Sequence, residues 1–133
     1  MTLEPAGGAI DIGIVTVNEA AMRSFYEELL GLPVVGEVPT GADRIVKLQC
    51  GSSAIKLYVL AAQPEAGSGA GHYLAATGIR YFTIPVRNLR ATVETCREAG
   101  VSVVTDVVEP RPGLIAALIA DPDGNTIELM ETQ

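Results

Sequence analysis

Asp11, Lys56, Tyr81 and Glu128 are the side chains of this sequence whose types and spacing could do chemistry together. A carboxylate can take a proton from carbon or oxygen, while an ammonium and a phenol donate to the oxygen on which negative charge develops. The reaction class for such a set is enolisation: isomerisation, epimerisation or elimination next to a carbonyl. The structural alternative is that Lys56 bridges Asp11 and Glu128 and neutralises them in a partly dry cavity, where charge is tolerated only when paired.

The elements that must position these groups come from one pattern used twice. Ile10-Asp11-Ile12-Gly13-Ile14-Val15-Thr16-Val17-Asn18 begins the first copy, and Ile79-Arg80-Tyr81-Phe82-Thr83-Ile84-Pro85-Val86-Arg87-Asn88 begins the second. Each is a period-2 strand running into an Asn that can accept the first free N–H groups of a helix. The spacing of Met22, Phe25, Tyr26, Leu29 and Leu30 predicts a helix over 19–30, stopped by Gly31 with Pro33 beyond. Strands are expected over 33–38, 44–50 and 54–60. The second copy repeats the order, with a strand over 78–86, a helix over 89–99 and strands over 101–108, 113–120 and 125–131. Leu89, Val93 and Cys96 share the buried face of that second helix, and Gly100 stops it. Asp121-Pro122-Asp123-Gly124-Asn125 is a tight-turn signal between the last two strands. Pro85, which cannot donate to a ladder, marks the end of regular pairing.

Strand alternation then sorts residues by face. Ile10, Ile12 and Ile14 form a helix-facing row, which leaves Asp11, Gly13 and Val15 opposite. Ile55, Leu57 and Val59 do the same for Lys56 and Tyr58; Phe82, Ile84 and Val86 for Tyr81 and Thr83; Ile127 and Leu129 for Thr126, Glu128 and Met130. The fold class is α+β: two βαβββ modules forming curved mixed sheets around a shared cavity, with helices outside. The four reactive groups converge on that cavity if the sheets curl toward one another. Tyr58, Thr83, Thr126 and Met130 line it as substrate contacts. His72, the one histidine, could cap it from a loop, although beside a Gly-rich linker the plainer reading is a solvated ring. Tyr73 could join as a lid, or pack within its own loop. Arg44, Arg80 and Arg111 could meet a ligand anion, with surface exposure as the plainer reading.

The length of 133 residues fits a single domain spanning 1–133, with module 1 at about 9–62, a linker at 63–77 and module 2 at about 78–131. A net charge of −7 and a pI near 4.6 argue against nucleic acid and anionic membranes as partners. The absence of Trp removes a stacking surface for single strands. Apolar runs are of strand length, and 1–8 lacks a basic start followed by an apolar stretch, so a cytoplasmic location is expected. Cys50 and Cys96 stand without CxxC spacing and read as buried thiols.

The stretches 11–14 and 25–32, the entry Gly78-Ile79-Arg80-Tyr81 to Asn88-Leu89, and the close Asp121-Pro122-Asp123-Gly124-Asn125-Thr126-Ile127-Glu128-Leu129 resemble the vicinal oxygen chelate superfamily of glyoxalases, bleomycin-resistance proteins and extradiol dioxygenases. The resemblance covers nearly the whole chain. It implies a metal held from the first, fourth, fifth and eighth strands, commonly by His, Glu or Gln, His, and Glu. Carried over by position, these are Asp11, Lys56, Tyr81 and Glu128, of which only Glu128 is the usual residue. An ammonium offers no lone pair and a neutral phenol is a poor donor, so no tightly held metal and no other cofactor is expected. The resemblance also implies a homodimer and a small organic ligand.

The leading expectation is thus a metal-independent isomerase, epimerase or lyase acting next to a carbonyl. One alternative is a non-catalytic drug-binding or metabolite-binding resistance protein, weakened by the few aromatics near the cavity. A second is a metal-dependent enzyme with Asp11 and Glu128 as ligands.

Overall fold

Strands form where the period-2 pattern marks them. The structure, a computed structural model, describes residues 2–67 and 71–133. It divides into two compact units, Met1–Glu65 and Ala66–Gln133. Ser68, Gly69 and Ala70 of the expected linker lie outside the described residues.

The first unit runs β1 (Ile12–Thr16), α1 (Glu19–Arg23), a π-helical turn (Ser24–Leu29), β2 (Val34–Thr40), β3 (Asp43–Cys50) and β4 (Ser53–Val59). Its sheet has the order β1-β4-β3-β2, with β1 parallel to β4 and the other pairs antiparallel. The second unit runs β5 (Tyr81–Pro85), α2 (Leu89–Glu98), β6 (Val103–Arg111), β7 (Leu114–Ala120) and β8 (Thr126–Thr132), in the order β5-β8-β7-β6. Here β5 lies parallel to β8 and the rest are antiparallel. Both units are βαβββ, as the repeat implies.

Each unit has its own apolar core. Ile14, Met22, Phe25, Tyr26, Val46, Leu48, Ile55 and Leu57 are buried in the first, and Leu89, Val93, Cys96, Ile115, Ile119, Ile127 and Leu129 in the second. Full burial of such a side chain stabilises by roughly 1.5–3 kcal/mol. The expected face of α2 is the buried one, and α2 packs on β6, β7 and β8.

Several boundaries differ from expectation for identifiable reasons. Ile10 and Ile79 lie outside their strands and are 78% and 99% exposed, so Ile10 does not belong to the buried row. Pairing of β1 starts at Ile12 opposite Ile55, and that of β5 at Tyr81 opposite Thr126; before these points neither edge strand has a ladder partner. β2 and β6 continue through Pro39 and Pro110, because both are edge strands whose outward side needs no donor. Pro85 is the last residue of β5, as its missing N–H predicts.

The first helix is not one uniform helix over 19–30. It changes to π geometry after Arg23, with the Leu30 N–H donating to the Phe25 carbonyl at 2.9 Å. The adjacent Phe25 and Tyr26 are both buried there, in edge-to-face contact at 4.7 Å. Neither Asn caps its helix through the side chain. In the first unit the Asn18 N–H is held by the Thr16 hydroxyl, and in the second Glu131 takes the helix N–H of Leu89 at 2.8 Å. No helix among the described residues is long and apolar enough to cross a membrane.

Candidate functional site

In the first unit, register places Gly13 of β1 beside Lys56 of β4, on the face opposite buried Ile55 and Leu57. Asp11 stands one step before the start of β1. Its Oδ1 accepts the Ala54 N–H at 2.8 Å, and its Oδ2 meets Lys56 Nζ at 3.3 Å. The structure therefore joins Asp11 and Lys56. The Ala54 N–H chiefly holds the Asp11 carboxyl below its ordinary range, against the opposing pull of desolvation and with the Lys56 ammonium adding to it. A carboxylate committed in this way is a poor base. It closes the chain entering β1 onto β4.

Tyr58, two residues on and on the same face, accepts the Thr40 hydroxyl at 3.0 Å. Arg44 does not stand free for a ligand: it pairs with Glu19 and, at 3.3 Å, with Glu37, while Arg23 joins Glu19, Glu27 and Glu37. The Arg44 guanidinium is the main cause of a lowered Glu19 pKa. This network ties α1 to β2 and β3. Cys50 is half-buried and Cys96 buried, and burial pushes both thiols up.

In the second unit, β5 and β8 run parallel with Tyr81 opposite Thr126 and Thr83 opposite Glu128. Tyr81, Thr83 and Glu128 therefore share one sheet face. The Thr83 hydroxyl donates to Glu128 Oε1 at 2.7 Å, which orients the carboxylate and leaves Oε2 for another partner. Thr126 is buried, whereas Tyr81 is 48% exposed. The Tyr73 ring meets the Tyr81 ring edge-on at 5.9 Å, and His72 lies against Tyr73 at 4.6 Å. The exposed His72 also accepts the Leu74 N–H through Nδ1 at 3.2 Å, within a turn closed by Ala75 N–H on the His72 carbonyl. Met130, opposite Pro85, lines an open depression of about 790 Å³ with Val86, Arg87, Asn88 and Thr132.

The metal implied by the resemblance meets unsuitable donors. Both oxygens of Asp11 are engaged, one of them by an ammonium that offers no lone pair; Tyr81 offers a neutral phenol, and one Glu128 oxygen accepts a hydroxyl. Among the described residues no three His, Cys, Asp or Glu side chains are grouped to share an ion. This donor set does not fit a divalent cation.

Two residues that shape these faces escape motif reading. Lys47 stands directly opposite Lys56, and the alternation of β3, with Val46 and Leu48 buried, is the signal that places it there. Glu131 reaches α2 from β8, the last strand, a tertiary contact with no local signature.

Residues 10–129 match the family model "Glyoxalase/Bleomycin resistance protein/Dioxygenase superfamily". No curated protein matches significantly. A glyoxalase family protein from Bacillus cereus superposes with a TM-score of 0.77 at 20% identity, over 99% of this chain and 99% of that one. A glyoxalase family protein from Enterococcus faecalis does so with a TM-score of 0.67 at 26% identity, over 96% and 97%. The lactoylglutathione lyase of Agrobacterium tumefaciens gives a TM-score of 0.68 at 20% identity, over 96% of each.

Proposed function

Because the chain belongs to the glyoxalase, bleomycin resistance protein and dioxygenase superfamily, we propose that it acts on a small carbonyl compound by metal-independent proton transfer, with Glu128 as base and Tyr81 as oxygen-side donor. The observation that carries this reading is the 2.7 Å hydrogen bond from Thr83 to Glu128 Oε1, on the face that also presents the Tyr81 phenol. One carboxylate oxygen is fixed and the other can approach a C–H bond. In the step itself, Glu128 takes the proton from the carbon next to the carbonyl, the C–H electron pair forms the enolate C=C bond, and the carbonyl π pair moves onto oxygen. The Tyr81 hydroxyl donates a hydrogen bond to that oxygen. Return of the proton to the same or a neighbouring carbon gives epimerisation or isomerisation, and loss of a leaving group gives elimination. Asp11 is not the base in this reading, because its charge is spent on Ala54 and Lys56.

The Tyr73–Tyr81 pair, with His72 beside it, favours a second reading: an aromatic surface that holds a ligand without turning it over. One experiment separates them. Deuterium exchange into small ketones and lactones is followed by NMR with the wild type, Glu128→Gln and Tyr81→Phe. Catalysis predicts that Glu128→Gln loses about 100-fold or more of the exchange rate while ligand affinity stays within a few-fold. Binding of the ligand with no exchange by the wild type favours the holding role. The proposed reading also takes the protein as a cytoplasmic homodimer, checked by light scattering and cell fractionation.

A further inference from the structure

A feature of the first unit stands apart from proton transfer at Glu128. Across its sheet, one rung reads Gly13, Lys56, Lys47, Gly36, from β1 through β4 and β3 to β2. Lys47 and Lys56 are directly opposite in an antiparallel pair, where side chains on one face have Cβ atoms about 5 Å apart and like charges repel. In a chain of net charge −7, such a pair is not forced by a general excess of cations.

Asp11 is the nearby compensation. It lies 3.3 Å from Lys56 Nζ, and Lys47 adds to the field lowering its pKa. One carboxylate against two ammonium groups leaves one positive charge over. Lys47 is exposed, and among the described residues it has no ion-pair partner within the salt-bridge distance.

The flanking glycines keep the rung open. Neither Gly13 nor Gly36 has a positive φ, and a Cβ built on either meets nothing within 4 Å. Backbone conformation and packing would accept a side chain at both positions. Gly36 is opposite Lys47 only because β2 shifts register between Val34 and Gly36; continued in step from Val34 opposite Leu48, the ladder would have put Val35 there. Both ammonium groups are thus reachable from either side along the rung.

We propose that this rung binds an oxyanion, the carboxylate or phosphate group of a small ligand. The two ammonium groups supply charge-assisted donors, and the unpaired charge is neutralised when the anion docks. Tyr58, two residues from Lys56 on the same face, adds a phenol to the rim.

The test is an amide NMR titration of the full chain with sodium acetate and with sodium phosphate, against sodium chloride at equal ionic strength. Saturable shifts centred on Gly13, Gly36, Lys47 and Lys56, absent with chloride, are expected. Lys47→Met should weaken binding about fivefold and Lys47→Arg should retain it. Gly13→Val, which changes no charge, should also weaken binding by filling one flank. Tighter phosphate than acetate identifies a phosphate-bearing ligand, and the reverse order a carboxylate. Shifts that do not saturate, that chloride reproduces, or that survive both Lys47→Met and Gly13→Val overturn the site. Glu128→Gln should leave acetate and phosphate binding unchanged, so this site and the proton-transfer reading fail separately.

Discussion

The two units repeat one backbone plan and place opposite chemistry on the same rung. In the first, Gly13 pairs with Lys56 and Lys56 with Lys47; in the second, Thr83 pairs with Glu128 and Glu128 with Leu118. The strand before the helix and the last strand of each module meet in parallel at the equivalent step. Where the first unit has two cations and bare glycine, the second has a carboxylate held by a hydroxyl and walled by a nearly buried leucine. The difference lies in who satisfies the charge. Lys56 turns back along its own face to Asp11, which also closes the chain onto Ala54, whereas Glu128 is oriented by its direct neighbour. A repeated fold fixes the height and face of a side chain, and the neighbouring residue decides whether that side chain is free to act.

The largest expected effect is the loss of exchange in Glu128→Gln. Thr83→Val sharpens the comparison next. It removes the donor to Glu128 Oε1 and should slow exchange by roughly tenfold, the lower end of the scale for a hydrogen bond to a charged group at about 1.5 kcal/mol, with Thr83→Ser restoring the rate. An unchanged rate in Thr83→Val would mean that the hydroxyl does not position the carboxylate.

Acid should tell upon the first unit through Asp11 and Glu19. Both folded pKa values are depressed, from ordinary values of 3.8 and 4.5, by the Ala54 N–H with Lys56 and by Arg44 with Arg23 respectively. A depressed carboxylate contributes stability that is fully present above its unfolded pKa and is lost as pH falls through the folded one. The window therefore opens near pH 4.5 for Glu19 and near 3.8 for Asp11, and closes below them. Asp11→Asn keeps an acceptor for Ala54 but removes the charge. Its deficit in denaturant midpoint, relative to wild type, should be present at neutral pH and shrink through that window. A deficit independent of pH would assign the role of Asp11 to shape and not charge.

How much of this was legible in the sequence depends on how local the cause is. Alternation marked the faces of Lys56, Tyr81, Thr83 and Glu128, because a side chain's side of a strand is set by its immediate neighbours. The turn at Asp121 was also readable: Gly124 takes a φ of 87°, and the Asp121 carboxylate accepts the N–H groups of Asp123 and Asn125. What the sequence hid was set at a distance. Ile10 is exposed because the β1–β4 ladder begins only at Ile12, the π turn coincides with the burial of the adjacent Phe25 and Tyr26, and the cap on α2 comes from Glu131 in the last strand. Asn88 carried the right local signature and was bypassed by the Glu131 carboxylate. Lys47 opposite Lys56 needed the pairing register, which a bulge in β2 and irregularities in β6 show is not fixed by strand length alone.

The smallest effect separates the two rungs by electrostatics alone. Lys47→Met keeps a long apolar stem on the first sheet while removing one of two facing charges. Like charges directly opposite on a sheet destabilise by a few tenths of a kcal/mol, so the variant should gain about 0.2–0.5 kcal/mol at low salt. The gain should fade at about 1 M salt, where the screening length drops to about 3 Å. Leu118→Met, at the equivalent position beside Glu128, alters packing without altering charge, so its effect should not depend on salt. If Lys47→Met instead lowers stability at low salt, the attraction of Lys47 to Asp11 outweighs its repulsion from Lys56. The first rung would then be internally balanced, with no charge left over for an anion to meet.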